Sequence, residues 1–209
     1  MKVISIDPHY LPSLEYMSII RQADELLWDV DSPFVKQTFR NRTYLLTANG
    51  VQPLIVPVHF RQGARFKEVT IDYHQSWVRE HWGAVYSGYG KAPFFDFYAD
   101  YFKAVWERKH KYLIDLNHEF LSVSFDLLQW QTVITLQSEE SSINDLRGLI
   151  HPKEDYTRRI FYTPFAYQQN FGSTFVPNLN VLDLLMCQGP ESDEILRKSI
   201  QTPVERFKN

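Results

Sequence analysis

Lys2-Val3-Ile4-Ser5-Ile6, running into Asp7-Pro8-His9-Tyr10-Leu11-Pro12-Ser13, decides the fold class of this chain. A β-branched run that stops at Asp-Pro and gives way at once to a helical pattern describes strand, stiff loop and helix. In open α/β sheets, ligands collect beyond the carboxyl end of such a strand. Pro8 and Pro12 remove backbone freedom and backbone donors from the loop, which holds Asp7, His9 and Tyr10 in one arrangement at the sheet edge. The same residues also suit an ordinary strand-to-helix connection carrying a surface histidine.

Working outward, Leu14, Met17, Ile19 and Ile20 recur at helical spacing behind Ser13 as N-cap, predicting a helix to about Arg21 or Gln22. Residues 25–31 (Glu-Leu-Leu-Trp-Asp-Val-Asp) read as a short buried strand, so residues 2–31 form a βαβ unit. Residues 32–42 are loop-like and cationic. Residues 44–47 and 54–58 flank Asn49-Gly50, a pair that favours a tight hairpin turn. Another strand is predicted over 66–72, a helix over 75–86 and a loop over 88–93. Long helices follow over 95–109 and 113–130, then a strand over 132–136. The stretch 138–159 is polar and broken, with a Ser run, Gly148 and Pro152. A last strand is expected over 161–165 and a final buried helix over 179–187. With no repeat, low-complexity tract or linker, residues 1–209 read as a single α/β domain. It has an N-terminal βαβ unit, a mixed sheet and several long helices.

At 209 residues, folding buries roughly 70% of the unfolded chain's surface, enough for a full core without staples. The net charge of −3 supplies no global basic field for nucleic acid or an anionic membrane, so any affinity for phosphate needs a local cation cluster. The single cysteine, Cys187, excludes an intramolecular disulfide framework and a Cys-rich zinc site. There is no basic segment followed by an apolar one at the start, and no run long enough to span a bilayer, so a cytoplasmic location is expected. The partner expected is a small-molecule substrate, with no nucleic acid and no membrane insertion. The 12 Tyr, 15 Phe and 5 Trp suit a packed core with stacking surfaces in a cleft.

Asp29-Val30-Asp31 has the spacing of the metal-binding Asp-x-Asp of many sugar-nucleotide glycosyltransferases, but only 28 residues precede it. Simple strand alternation also puts both carboxylates on one face. No metal and no cofactor is predicted. His9 near a helix N-terminus is placed to meet an anion. The nucleotidylyltransferase-like His-x-Gly-His loop is nevertheless incomplete here, since the chain reads His9-Tyr10-Leu11-Pro12. Lys36-Gln37-Thr38-Phe39-Arg40-Asn41-Arg42 gathers three cations that can clamp a phosphate or carboxylate, or simply form a solvated face. Asp183, inside Val181-Leu182-Asp183-Leu184-Leu185, needs a cation or backbone donors if it is buried; Arg42 or Lys36 is the expected cation, and a purely structural ion pair is the competing outcome.

Several blocks share one further property, their order. Asp7-Pro8-His9-Tyr10-Leu11-Pro12-Ser13-Leu14-Glu15-Tyr16 comes first, then Asp31, Phe34, Lys36, Phe39, Asn41 and Arg42. Ile55-Val56-Pro57-Val58, Trp77, Tyr89-Gly90-Lys91-Ala92-Pro93-Phe94-Phe95 and Leu113-Ile114-Asp115-Leu116-Asn117 follow. The series ends in Tyr167-Gln168, Phe175-Val176-Pro177-Asn178-Leu179, Leu182-Asp183-Leu184-Leu185 and Gly189-Pro190. In this order and over nearly the whole chain, the blocks resemble the WbqC-like protein family. Asp7 stands where family members carry Gln, Glu15 where they carry Gly, and Val30 where they carry the first of two aspartates. The central segment 138–165 is shorter than theirs and lacks a Tyr-x-x-Gly-Gly-like stretch.

The resemblance implies an association with bacterial O-antigen and related glycan synthesis. It also implies an acyl or aminoacyl transferase acting on a nucleotide- or lipid-linked amino sugar. On that reading His9 is the general base, Asp31 an orienting acid, and Lys36 and Arg42 the clamp for a phosphate or carboxylate. Asp7, Tyr10, Tyr16, Asn41, Tyr89, Lys91, Tyr167, Gln168 and Asp183 complete the substrate site. The alternative is a non-catalytic small-molecule-binding or scaffold protein of the same pathway, which the shortened segment and Val30 favour.

Overall fold

A computed structural model describes residues 1–137 and 144–204. Its organising element is a four-stranded parallel sheet. The first strand, β1 (Val3–Ser5), leads through the Asp7–Ser13 loop into helix α1 (Leu14–Ile20) and returns in β2 (Glu25–Asp29), parallel to β1 with Val3 opposite Glu25. This is the βαβ unit expected from the sequence. Two strands from much later in the chain complete the sheet. β7 (Val133–Gln137) lies parallel to β2, and β8 (Asn144–Asp145) lies parallel to β1 on its other side. The spatial order is β7-β2-β1-β8, which places β8 on the side of β1 away from β2.

Among the described residues, antiparallel ladders form two ribbons separate from this sheet. β3 (Arg42–Thr47) and β4 (Gly50–Ile55) form the hairpin expected around Asn49-Gly50, and β5 (Val58–His59) pairs with β6 (Thr70–Ile71). Helices α2 (Trp77–Tyr89), α3 (Phe95–Glu107), α4 (Leu113–Leu128), α5 (Val181–Gln188) and α6 (Ser192–Lys198) supply the rest of the core. α4 stops two residues short of the expected end because Gln129 adopts φ 58, a left-handed cap.

Three local expectations change. The expected strand over 66–72 is mostly a 3-10 turn at Phe66–Glu68, and only Thr70–Ile71 pairs. The Glu68 carboxylate accepts the Arg65 N–H at 2.8 Å, and Phe66 N–H is drawn to Ser32 O at 3.0 Å. That local capping competes successfully with an extended ladder. Residues 161–165 form no strand; a bridge between Tyr162 and Ile200 is all that remains of the pairing. α6, which the sequence reading passed over, is short and half polar.

All seven residues of α1 are buried, including Glu15. Its carboxylate is held by both Nε and Nη2 of Arg159, at 2.5 and 2.8 Å. This fork-on-fork pair satisfies a charge that otherwise could not remain in the core. It also explains how a glutamate can occupy a buried helix.

Candidate functional site

The Asp7–Ser13 loop is fixed along its whole length. Tyr10 N–H donates to Phe39 O at 2.8 Å, Leu14 N–H to Leu179 O at 2.9 Å, and Val181 N–H to Pro12 O at 2.9 Å. Leu11 takes φ 44, a costly conformation for a bulky residue preceding proline, and its carbonyl is secured by Thr43 Oγ1 at 2.8 Å. The strand-to-loop exit therefore presents Asp7 and His9 rigidly.

Beyond the carboxyl ends of β1, β2 and β8 lies a cleft of about 450 Å³. Its charged walls are Asp7, Asp29, Arg40 and Arg147, joined by His9 and His151 and by the smaller side chains of Ser32 and Thr38. The position, beyond the carboxyl ends of neighbouring parallel strands, is the one that parallel-sheet geometry favours for a ligand. A larger hollow of about 650 Å³ on the β5–β6 ribbon is walled by His59, Phe60, Arg61, Gln62, Gly63 and their neighbours. It contains none of these groups.

Within the cleft, each acid is matched to a base. Arg40 donates from Nη2 to Asp7 Oδ1 at 2.7 Å and to Ser32 Oγ at 3.2 Å, and from Nη1 to Pro33 O at 2.8 Å. The other Asp7 oxygen accepts Gly148 N–H at 2.6 Å. Burial alone would raise the Asp7 pKa; the Arg40 charge and hydrogen bond and the Gly148 N–H outweigh it and hold the carboxyl below its usual value. Asp29 Oδ2 accepts from Arg147 Nη1 at 3.0 Å, and Arg147 also grips Asp145. Asp29 Oδ1 accepts the N–H groups of Asp31 and Ser32, closing an Asx turn at the strand end.

His9 differs from its neighbours. The ring lies against Tyr16 at 4.4 Å and Phe39 at 5.1 Å, it is 2% exposed, and its Nδ1 has no hydrogen-bond partner. Burial pushes its pKa down to about 3, with Asp7 opposing and Arg40 assisting. The imidazole is therefore neutral at physiological pH.

The residues singled out from the sequence divide into separate groups. Asp7 and His9 line the cleft. Asp31 does not: it lies past the end of β2 and pairs with Arg65 at 2.9 Å and Lys67 at 2.6 Å. Alternation fails as a guide there because the strand ends at Asp29. Lys36 and Arg42, the expected clamp, are not among the cleft's lining residues, whereas Arg40 and Arg147 are. Lys36 is exposed with Nζ 4.9 Å from the Phe60 ring, and Arg42 sits on β3 opposite Ile55. Tyr10 and Tyr16 are core residues, Tyr10 bonding His81 Nδ1 and Trp106 Nε1 at 2.8 Å each, and Tyr16 accepting from Trp28 Nε1. Asn41 is buried and donates to Val56 O. Lys91 and Gln168 are exposed.

Asp183 belongs to a second buried cluster. It is held by Tyr167 Oη at 2.5 Å and Gln169 Nε2 at 3.0 Å, rather than by Arg42 or Lys36, and fully buried Tyr89 lies beside it. Desolvation raises its pKa against those hydrogen bonds. Both hydrogen bonds reach Oδ2 and Oδ1 makes none; the upward shift favours an uncharged carboxyl, which the phenol and amide can hold without a cation.

Sequence reasoning missed Arg147, Gly148 and His151 as wall residues. They come from the segment that looked truncated, and β8, which delivers them, is two residues long and carries no periodic signal. Arg40 stood in plain view within the cationic run, but spacing does not say which of three cations turns inward. Among the described residues no cluster of three or more His, Cys, Asp or Glu could hold a metal ion, and no helix is long and apolar enough to cross a membrane.

Comparison with known proteins agrees with the ordered resemblance. The chain is 25% identical over 227 aligned residues to the uncharacterized protein Rv1507c of Mycobacterium tuberculosis, covering 94% of this chain and 97% of that one. The family model described as "WbqC-like protein family" matches residues 7–152, from the Asp7 carboxylate through β8 and the last cleft wall. That stretch includes every residue lining the cleft, and the chain belongs to the WbqC-like protein family.

Proposed function

We propose that the protein is a transferase that moves an acyl or aminoacyl group onto a nucleotide- or lipid-linked amino sugar in surface-glycan biosynthesis. The supporting observation is His9: a neutral imidazole with an unpartnered nitrogen, walled into a cleft beyond the parallel strands. Leaving a buried polar nitrogen unbonded is costly, and such groups concentrate where a ligand completes them. A neutral imidazole can take the proton of an attacking amine or hydroxyl, and Asp7 beside it favours the imidazolium so formed. A phosphate on the bound substrate would raise its basicity further. Arg40 and Arg147 are the groups that position polar parts of the substrate, in place of Lys36 and Arg42. The glycan setting rests on the family resemblance.

The test is to incubate purified protein with amino-sugar nucleotides and acyl thioesters and to follow acylated sugar by mass spectrometry. Product with the native protein and none with His9→Phe supports the transferase. Sugar binding without turnover under any donor supports the second reading, a non-catalytic binding protein, which the low basicity of His9 favours.

A further inference from the structure

The cleft does not end at His151. That residue also borders a second hollow of about 210 Å³, walled by Phe39, Tyr44, Pro152, Tyr156, Arg159 and Pro177 among others. Phe39 links the two spaces, with one ring contact to His9 and an edge-on contact to Tyr44 at 6.1 Å. The character changes across this divide. The first space holds two matched acid–base pairs, whereas the second sets aromatic and proline faces beside Arg159, with Glu154, Asp155 and Asn178 also on its wall.

That guanidinium is incompletely used. Arg159 is buried, and Glu15 takes Nε and Nη2, while Nη1 makes no hydrogen bond. The Glu154 carboxylate lies 3.5 Å from Nη1, too far for a good bond, and its side chain is 58% exposed and free to move aside. Glu15 and Glu154 already offset the Arg159 charge, so a ligand anion gains little there. A neutral acceptor, such as an amide carbonyl, satisfies Nη1 with no charge to desolvate. Tyrosine, phenylalanine and proline faces suit the flat sides of a saturated ring.

We infer that this hollow is a second subsite that seats the amide-bearing ring of an N-acylated amino sugar, with its carbonyl on Arg159 Nη1. The assignment deepens the transferase reading and rests on it only in taking the cleft as the ligand site. The transferred group, once on the sugar nitrogen, has the amide carbonyl that this subsite accepts.

N-acetylglucosamine and glucose, which differ at one substituent, serve as probes in ligand-observed NMR titrations of the full chain. N-acetylglucosamine is expected to bind about fivefold more tightly than glucose, the value of one hydrogen bond, with its acetyl methyl in closest contact with protein. Glu154→Ala, which uncovers Nη1 without touching the buried Glu15 pair, is expected to widen that ratio. Tyr156→Ala, at the rim, is expected to weaken both sugars by about tenfold. Equal affinity for the two sugars, a ratio unmoved by Glu154→Ala, or no contact with either sugar overturns the subsite. Equal affinity with retained acyl transfer overturns the subsite alone. Discrimination between the sugars without transfer removes the transferase reading and leaves the subsite standing.

Discussion

Asp7 and Gly148 meet at 2.6 Å, carboxylate oxygen to backbone N–H, and so tie the exit of β1 to the turn that follows β8. Gly148 holds φ +74, a conformation that glycine adopts without the steric penalty of a side chain. The loops that leave these two neighbouring strands are thereby locked at one separation, with Arg40 securing the other Asp7 oxygen.

Replacing Arg40 by Met leaves the Asp7 carboxylate buried with only Gly148 for company, and is expected to cost about 3 kcal/mol at pH 7. In the native protein the Asp7 pKa is depressed, so its contribution is present above the unfolded value and fades as pH falls below it. In Arg40→Met the cost of burying the charge is left nearly unopposed, and protonating Asp7 relieves it. The gap between the two proteins in urea denaturation should therefore narrow below about pH 4. A gap that stays constant from pH 7 to pH 3.5 would show that Asp7 is not the group stranded.

His9→Phe separates function from stability. With a folded pKa of about 3 against 6.5 unfolded, neutral His9 contributes fully above pH 6.5 and progressively less as pH falls toward 3. Phenylalanine fits between Tyr16 and Phe39 and forfeits no hydrogen bond, because Nδ1 makes none. The variant should match the native protein at pH 7.5 and exceed it by about 1–2 kcal/mol at pH 5, while losing transfer activity. Denaturation curves at the two pH values decide it; a variant weaker at both means that the ring nitrogens are structurally bonded.

Asp183→Asn keeps an acceptor for Tyr167 and Gln169 and abolishes the titration. The raised pKa of Asp183 means that its stabilising, protonated form is complete below the unfolded value and is lost as pH rises. The variant should therefore melt about 2–4 °C higher than the native protein at pH 8 and match it at pH 3. A lower melting temperature at pH 8 would indicate that the ionised form is the one the fold favours.

Gly189 closes α5 at φ +52, and a Cβ there would lie 2.4 Å from the Phe94 ring. Gly189→Ala combines backbone strain with a ring clash and should destabilise by about 2–3 kcal/mol, measurable by calorimetry. An effect under about 0.5 kcal/mol would mean that Phe94 swings clear.

The opening strand, loop and helix were legible because hydrophobic runs, prolines and an N-cap act locally, and the long helices were legible from periodicity. The cleft was only half legible. Asp7 and His9 follow from where a parallel strand ends, but their companions depend on pairing between distant segments. Asp31 was misplaced by one turn of the chain, since alternation does not survive the Asx turn at Asp29. Arg40 lines the cleft and Arg42 and Lys36 do not, a choice among three neighbouring cations that only the three-dimensional arrangement makes. Asp183 found alcohol and amide partners, which spacing does not reveal.

The sheet order has a kinetic corollary. Ile4 must find Asn144, and Glu25 must find Val133, across most of the chain, whereas β1, α1 and β2 can assemble among neighbours. Closing such long loops is slow, so the βαβ unit gains protection early in refolding and the β8 side late. The chemistry-bearing hollow is then the last region to solidify, and a partly folded chain has no competent pocket with which to capture a ligand prematurely.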